Sequence, residues 1–203
     1  MPDDLVSVEV EMPNGTLRVL QPREVADLPD DGGVQWAPIA PYWAVLWRSG
    51  VALARKLDGT PVSALRDLRV VELGCGLGLP SLVAARAGAT VLATDAEPEA
   101  LSLLERNASE NALDLETMRV DWAQPERLVE RGPFDLVLGA DLLYEDAAVE
   151  HLRSLMPRLA AQAWLADPGR PTADALLDRL DHPVETERET RGVVRLYRLT
   201  FSS

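Results

Sequence analysis

The sequence predicts an α/β fold: a doubly wound, seven-stranded, mostly parallel sheet with the last strand antiparallel, preceded by an N-terminal β-hairpin. Three observations carry this. From residue 68 onward, short runs rich in Val and Leu alternate with stretches whose apolar residues recur at helical spacing. Those short runs are continuously apolar, as strands covered on both faces must be. Prolines and glycines punctuate the helical stretches, as at Pro80, Gly88 and Pro98. Strand–helix alternation of this kind builds parallel sheets through right-handed crossovers.

Residues 5–12 and 16–21 alternate apolar and polar around "PNGT", a turn signal, and predict a hairpin. A Pro/Asp/Gly-rich connection through "LPDDGG" follows. From Tyr42 to Leu57 the spacing of Trp43, Leu46, Trp47, Gly50, Leu53, Ala54 and Leu57 predicts one helix, with Trp43 and Trp47 on one face. The core then reads as strands at 68–74, 89–95, 115–122, 134–144 and 161–167. Helices separate them at 79–88, 97–112, 145–159 and 171–180, with a short helical stretch after 122. Two alternating runs at 184–190 and 193–201, joined by "RG", form a terminal hairpin. The expected organisation is a single domain over 1–203: hairpin and connection over 1–41, catalytic core over 42–203.

Composition narrows the function. The formal charge of −13 repels a nucleic-acid backbone, and the arginines are scattered among acids rather than gathered in a patch. No apolar run approaches the roughly 18 to 20 residues that cross a bilayer. The stretch at residues 36–47, "WAPIAPYWAVLW", holds three tryptophans but is too short and too rich in proline to span one. The acidic opening does not resemble a secretory or transit leader. A lone Cys75 and two distant histidines offer neither an internal disulfide nor a metal set, so a cytoplasmic protein without metal is expected.

In doubly wound sheets ligands bind beyond the carboxyl ends of the strands, so the strand ends are the candidate site. The first core strand closes in "ELGCGLG". Glu72 opens the pattern, and Gly74, Gly76 and Gly78, with Cys75 between them, allow a tight turn and close backbone approach at a helix N-terminus. A dinucleotide fingerprint would need glycine where Leu79 stands. The second strand ends in Asp95, suited to ribose hydroxyls or to capping the helix near Pro98. The third ends in Asp121 and Trp122, suited to an adenine amine and its ring, or simply a surface acid beside a core tryptophan. The fourth ends in Asp141 and Tyr144, where reacting groups should meet.

An acid followed by G-x-G-x-G resembles motif I of S-adenosylmethionine-dependent methyltransferases. Together with Trp47, "DW" at 121–122 and "DLLY" at 141–144, it resembles the seven-strand lysine methyltransferases of methyltransferase family 16. Within that family "PYWAVLW" and "DPGRP" at 167–171 look most like the group acting on the β subunit of electron transfer flavoprotein. The resemblance spans roughly residues 41 to 171. It departs at Arg48, Ser49 and Gly50, where that group carries Pro-Gly-Gly, and in a more regular glycine loop.

The resemblance implies a Rossmann-like methyltransferase fold with S-adenosylmethionine as cofactor and S-adenosylhomocysteine as product. Trp47, Glu72, the glycine loop, Asp95, Asp121, Trp122 and Ala140 would line the cofactor; Asp141 and Tyr144 would face the acceptor amine. The implied partner is a protein presenting lysine, such as the β subunit of electron transfer flavoprotein or a ribosomal protein. A small nicotinamide-like amine is the alternative acceptor, and a non-catalytic binding module the alternative of another class. Trp36 and the role of "DPGRP" stay open at this level.

Overall fold

The computed structural model describes residues 4–26, 41–180 and 184–201, the segment 184–191 by its backbone. Trp36 and the connection through "LPDDGG" lie outside the described residues. The hairpin forms as expected: β1 (Leu5–Met12) and β2 (Gly15–Pro22) pair antiparallel across Pro13 and Asn14, with Met12 opposite Gly15. A four-residue helix, α1 (Arg23–Ala26), follows it.

The core runs α2 (Arg48–Asp58), β3 (Arg69–Leu73), α3 (Leu79–Arg86), β4 (Thr90–Asp95), α4 (Pro98–Glu110), β5 (Glu116–Arg119) and α5 (Glu126–Val129). It continues as β6 (Leu136–Ala140), α6 (Asp146–Leu159), β7 (Gln162–Asp167), α7 (Pro171–Asp178), β8 (Val184–Arg191) and β9 (Val194–Phe201). The seven-stranded sheet has the order β5-β4-β3-β6-β7-β9-β8. Pairs from β5 to β7 are parallel. β9 is antiparallel to both β7 and β8, and it lies between them rather than at the edge.

Apolar side chains cover both faces of the sheet. On one face Leu53, Leu57, Leu82, Leu103 and Leu104 join Val10, Met12, Leu17 and Val19 of the hairpin. On the other, Leu128, Val149, Leu152, Met156 and Leu176 close over Val71, Val137 and Leu165. The strand order turns between β3 and β6, which places the crevice of such a sheet beyond their carboxyl ends.

Two elements differ from expectation. The helix expected over 42–57 is instead a 3-10 turn at Tyr42–Ala44, an extended step, and a helix beginning at Arg48. Trp47 is extended at φ −63°, ψ 141°, so Trp43 and Trp47 do not share a helical face. Tyr42 O, which a continuing helix would offer to the Leu46 amide, instead accepts the Val45 amide at 3.3 Å and the Trp47 indole N–H at 3.0 Å.

The strand expected over 134–144 stops at Ala140, because Asp141 turns into the left-handed region at φ 62°. Leu142 and Leu143 are buried there, so their apolar character belongs to a packed turn rather than to more strand. β5 is likewise shorter than the 115–122 run, since Asp121 folds back on itself: its Oδ1 accepts the Ala123 amide at 2.9 Å.

Candidate active site

The turn after β3 is shaped by what surrounds it. Gly78, at φ 71°, caps α3; a Cβ there would stand 2.3 Å from Leu104 Cδ1 in the core. Gly76, at φ 51°, faces the Trp43 carbonyl, which a Cβ would approach to 2.8 Å. These positions need glycine both for backbone angle and for room. Trp43 itself packs half-buried against the core, so the 42–47 segment is pressed onto the glycine loop. Trp47 lies half-buried at its end, stacked with Tyr42 at 6.3 Å between centroids.

Acidic groups surround this loop. Glu72 is buried; its Oε2 accepts the Ser81 amide at 2.9 Å and the Ser81 hydroxyl. Burial pushes its carboxyl up to about 8, against the lowering effect of the Ser81 bonds. Asp95 ends β4 with both oxygens directed at backbone: Oδ2 accepts Gly76 N at 2.9 Å and Oδ1 accepts Glu97 N at 3.0 Å. It therefore ties the loop to the next strand and also fills part of the capping role foreseen for it. Burial raises its pKa, opposed by those amide bonds. Burial, with help from Asp95 and Glu72, likewise pushes the Cys75 thiol well above its ordinary value, so it stays an unreactive thiol in the loop.

Trp122 stands against the other end of the loop, its Cζ2 3.2 Å from where a Gly74 Cβ would be. Leu142, not anticipated from sequence, packs into the same place and also against Gly139. Asp121 is exposed, and among the described residues no donor reaches its Oδ2. Ala140 is half-buried at the end of β6, next to Asp141.

Asp141 is not a free carboxylate. Its Oδ1 accepts Arg170 Nη2 at 2.5 Å, and its amide donates to Ala166 O at 2.9 Å. Arg170 also donates through Nη1 to Asp167 Oδ2 at 2.9 Å. Asp167, wholly buried, uses Oδ1 to accept the Gly169 and Arg170 amides, each at 2.7 Å. "DPGRP" is thus a carboxylate-anchored turn that delivers a guanidinium to Asp141. The Thr172 hydroxyl donates to Leu143 O and holds the same loop from α7. Tyr144 is 61% exposed, its phenol pKa raised by burial and by Glu145 and Asp95. Among the described residues no group of three or more His, Cys, Asp or Glu side chains is arranged to hold a metal.

The structure therefore brings Glu72, Gly74–Gly78, Asp95, Trp122, Ala140 and Asp141 to the carboxyl ends of adjacent strands β5, β4, β3 and β6. Asn107 is a further residue not anticipated. Buried on α4, it accepts Leu20 N at 2.7 Å and donates to Leu77 O at 3.4 Å, linking the hairpin to the glycine loop. Its only sequence signal is Asn111 one turn later, which pairs in the same way with the backbone of Arg18.

This architecture defines a class before it defines a family. The guanine-N2 methyltransferase of 16S rRNA from T. thermophilus (RsmC) superposes with a TM-score of 0.72 at 17% identity, over 100% of this chain and 52% of that one. The fold is that of the S-adenosylmethionine-dependent methyltransferases. Residues 42–164 match the lysine methyltransferase family, and the chain belongs to it. The electron transfer flavoprotein β subunit lysine methyltransferase of Xenopus laevis is 33% identical over 165 residues, 78% of this chain and 64% of that protein. Protein N-lysine methyltransferase METTL21A of Danio rerio is 36% identical over 123 residues, 58% of this chain and 56% of that protein. The chain spans less than two thirds of the length of either relative.

Proposed function

We propose that this protein is an S-adenosylmethionine-dependent N-methyltransferase acting on lysine side chains of a protein. One observation carries the reading: Asp141 ends β6 directly beside the strand that ends in the glycine loop, so an acceptor carboxylate and a cofactor cradle adjoin at the turn of strand order.

The residues present fit the cofactor. The loop offers glycine backbone where side chains would collide, with the six-membered ring of Trp122 against Gly74. Each Asp95 oxygen keeps a lone pair for a ribose hydroxyl, and Asp121 Oδ2 is open to an exocyclic amine. Glu72 lies beneath the loop as its buried anchor, and Trp47 and Ala140 complete the lining. When bound, the cofactor supplies a methyl group on a sulfonium centre.

The chain's own residues must bind an ammonium, let one proton leave, and hold the resulting lone pair in line with that methyl. Free lysine has a pKa of about 10.4, so the neutral amine is the minor form near neutrality. Asp141 Oδ2, not used by Arg170, accepts an amine N–H and orients the nitrogen. Tyr144, largely exposed three residues further along the same turn, offers its ring to the incoming acceptor. Alignment of this kind contributes up to about 7 to 11 kcal/mol to such reactions. Asp141 is an orienting group and not a strong base, since a bare carboxylate would raise the pKa of the amine.

The acidic charge favours encounter with a lysine-bearing surface. The likeness to the frog enzyme makes the β subunit of electron transfer flavoprotein the first acceptor to try, ahead of ribosomal proteins. The deciding experiment incubates the protein with methyl-labelled donor and cell lysate, followed by mass spectrometry of labelled species. Methyl-lysine in a protein band supports the reading. Label confined to small molecules moves it to a small-amine enzyme, and absence of S-adenosylhomocysteine with any fraction reduces it to a binding module.

A further inference from the structure

The inference here rests on the lysine-methylation reading and concerns how Asp141 avoids defeating its own purpose. A carboxylate placed beside an amine favours the ammonium form, whereas transfer requires the neutral amine. Three features of the site bear on that conflict. Asp141 sits at φ 62°, in the left-handed region that Asp enters more readily than most L residues but still at some cost in energy. Its Oδ1 is bound by Arg170, while among the described residues no donor reaches Oδ2. Arg170 is in turn locked by Asp167, whose carboxylate is wholly buried and takes three hydrogen bonds from the turn Asp167–Arg170.

Desolvation works against the charge on Arg170, but Asp141 and Asp167 outweigh it and raise its pKa, so the guanidinium stays charged throughout the working range. The other charged groups nearby leave this balance intact. Glu145 and Asp95 act on Tyr144, and Arg195, which packs on Gly169, bonds to Asp174 at 3.3 Å.

We propose that Arg170 is a positioning residue for methyl transfer: it fixes Asp141 in its left-handed turn and offsets its charge, leaving one carboxylate oxygen to orient the acceptor without holding its proton. Asp167 is the buried anchor that aims Arg170.

The test uses the full chain, with the β subunit of electron transfer flavoprotein as the acceptor probe, or the lysate protein that the wild type labels. Turnover is measured against pH for wild type, Arg170→Gln and Arg170→Lys, with donor affinity measured separately by calorimetry. In Arg170→Gln both Asp141 and the buried Asp167 lose their shared counter-charge, and the added negative field raises the pKa of the bound amine. Turnover should fall about tenfold at neutral pH and recover on the alkaline side, the midpoint moving up by about one pH unit. Donor affinity should be unchanged. Arg170→Lys keeps the charge but not the two-pronged grip, so it should keep the wild-type midpoint while losing turnover severalfold. Loss by one constant factor at every pH in Arg170→Gln overturns the charge-offsetting role, as does an equal midpoint shift in Arg170→Lys.

If the wild type labels no protein at all, the lysine-methylation reading falls separately. Amide exchange then decides the positioning role: Arg170→Gln should speed exchange across 141–144 and leave 74–78 as in wild type. Unchanged exchange at both overturns it.

Discussion

On the β3 side of the site, position is set by contact. Gly76 lies against the Trp43 carbonyl and Gly78 against Leu104, and the loop has no room to move toward either. On the β6–β7 side, position is set by charge: Asp141, Arg170 and Asp167 form a chain of ion pairs beside a largely exposed Tyr144. Packed contacts have short range and no dependence on pH, whereas ion pairs respond to pH and to the charge of whatever enters. The difference suits the two tasks that the proposed function sets. A cofactor of constant shape calls for a rigid cradle, while an acceptor that changes protonation calls for an electrostatic setting.

Substitutions in each half sharpen this contrast. The largest expected effect is on the charged side: Asp141→Ala should lower turnover by about 100-fold or more with donor affinity largely intact. A methylation assay paired with donor calorimetry checks it, and near-normal turnover removes Asp141 from the acceptor site. On the contact side, Gly78→Ala should destabilise the fold by about 2 to 4 kcal/mol, from the left-handed backbone and the overpacked Leu104 together. Urea unfolding measures this; a loss below about 1 kcal/mol would mean that the loop has slack.

Trp47→Ala should weaken donor binding by about tenfold with little change in melting temperature. Equal donor affinity in that variant returns Trp47 to a purely structural place on Tyr42. The last effect is on stability against pH rather than on turnover or donor binding, and it belongs to Glu72, the ionisable member of the contact side. Its carboxyl is raised from 4.5 to about 8 in the folded chain, so folding favours the protonated form. The stability this contributes is complete below pH 4.5 and is lost as pH rises through about 8. Glu72→Gln should flatten the melting temperature across that interval, and an unaltered slope would assign the pH dependence to other groups.

Legibility in the sequence followed the range of the interaction responsible. Hairpin, strands and most helices were readable because alternation, helical spacing and Pro/Gly punctuation act within a few residues. That Gly74–Gly78, Asp95, Trp122 and Asp141 lie near one another was readable because strand ends in this fold meet at one place. The break before Arg48 was not, since the apolar spacing runs through it while the backbone is extended at Val45 and Trp47. The early end of β6 was hidden for a related reason: Leu142 and Leu143 look like strand but are buried by a turn.

The sequence by itself determined the doubly wound fold, the glycine turn and the residues that close each strand, because hydrophobic period and backbone preference are properties of short segments. It also placed "DPGRP" after β7 without saying what its arginine meets. Only the tertiary structure decided that Arg170 reaches across from β7 to Asp141 at the end of β6, and that Asn107 joins the hairpin to the glycine loop. Those partners are distant in the chain. Nothing in local sequence encodes a pairing that exists only once the sheet has brought its strand ends side by side.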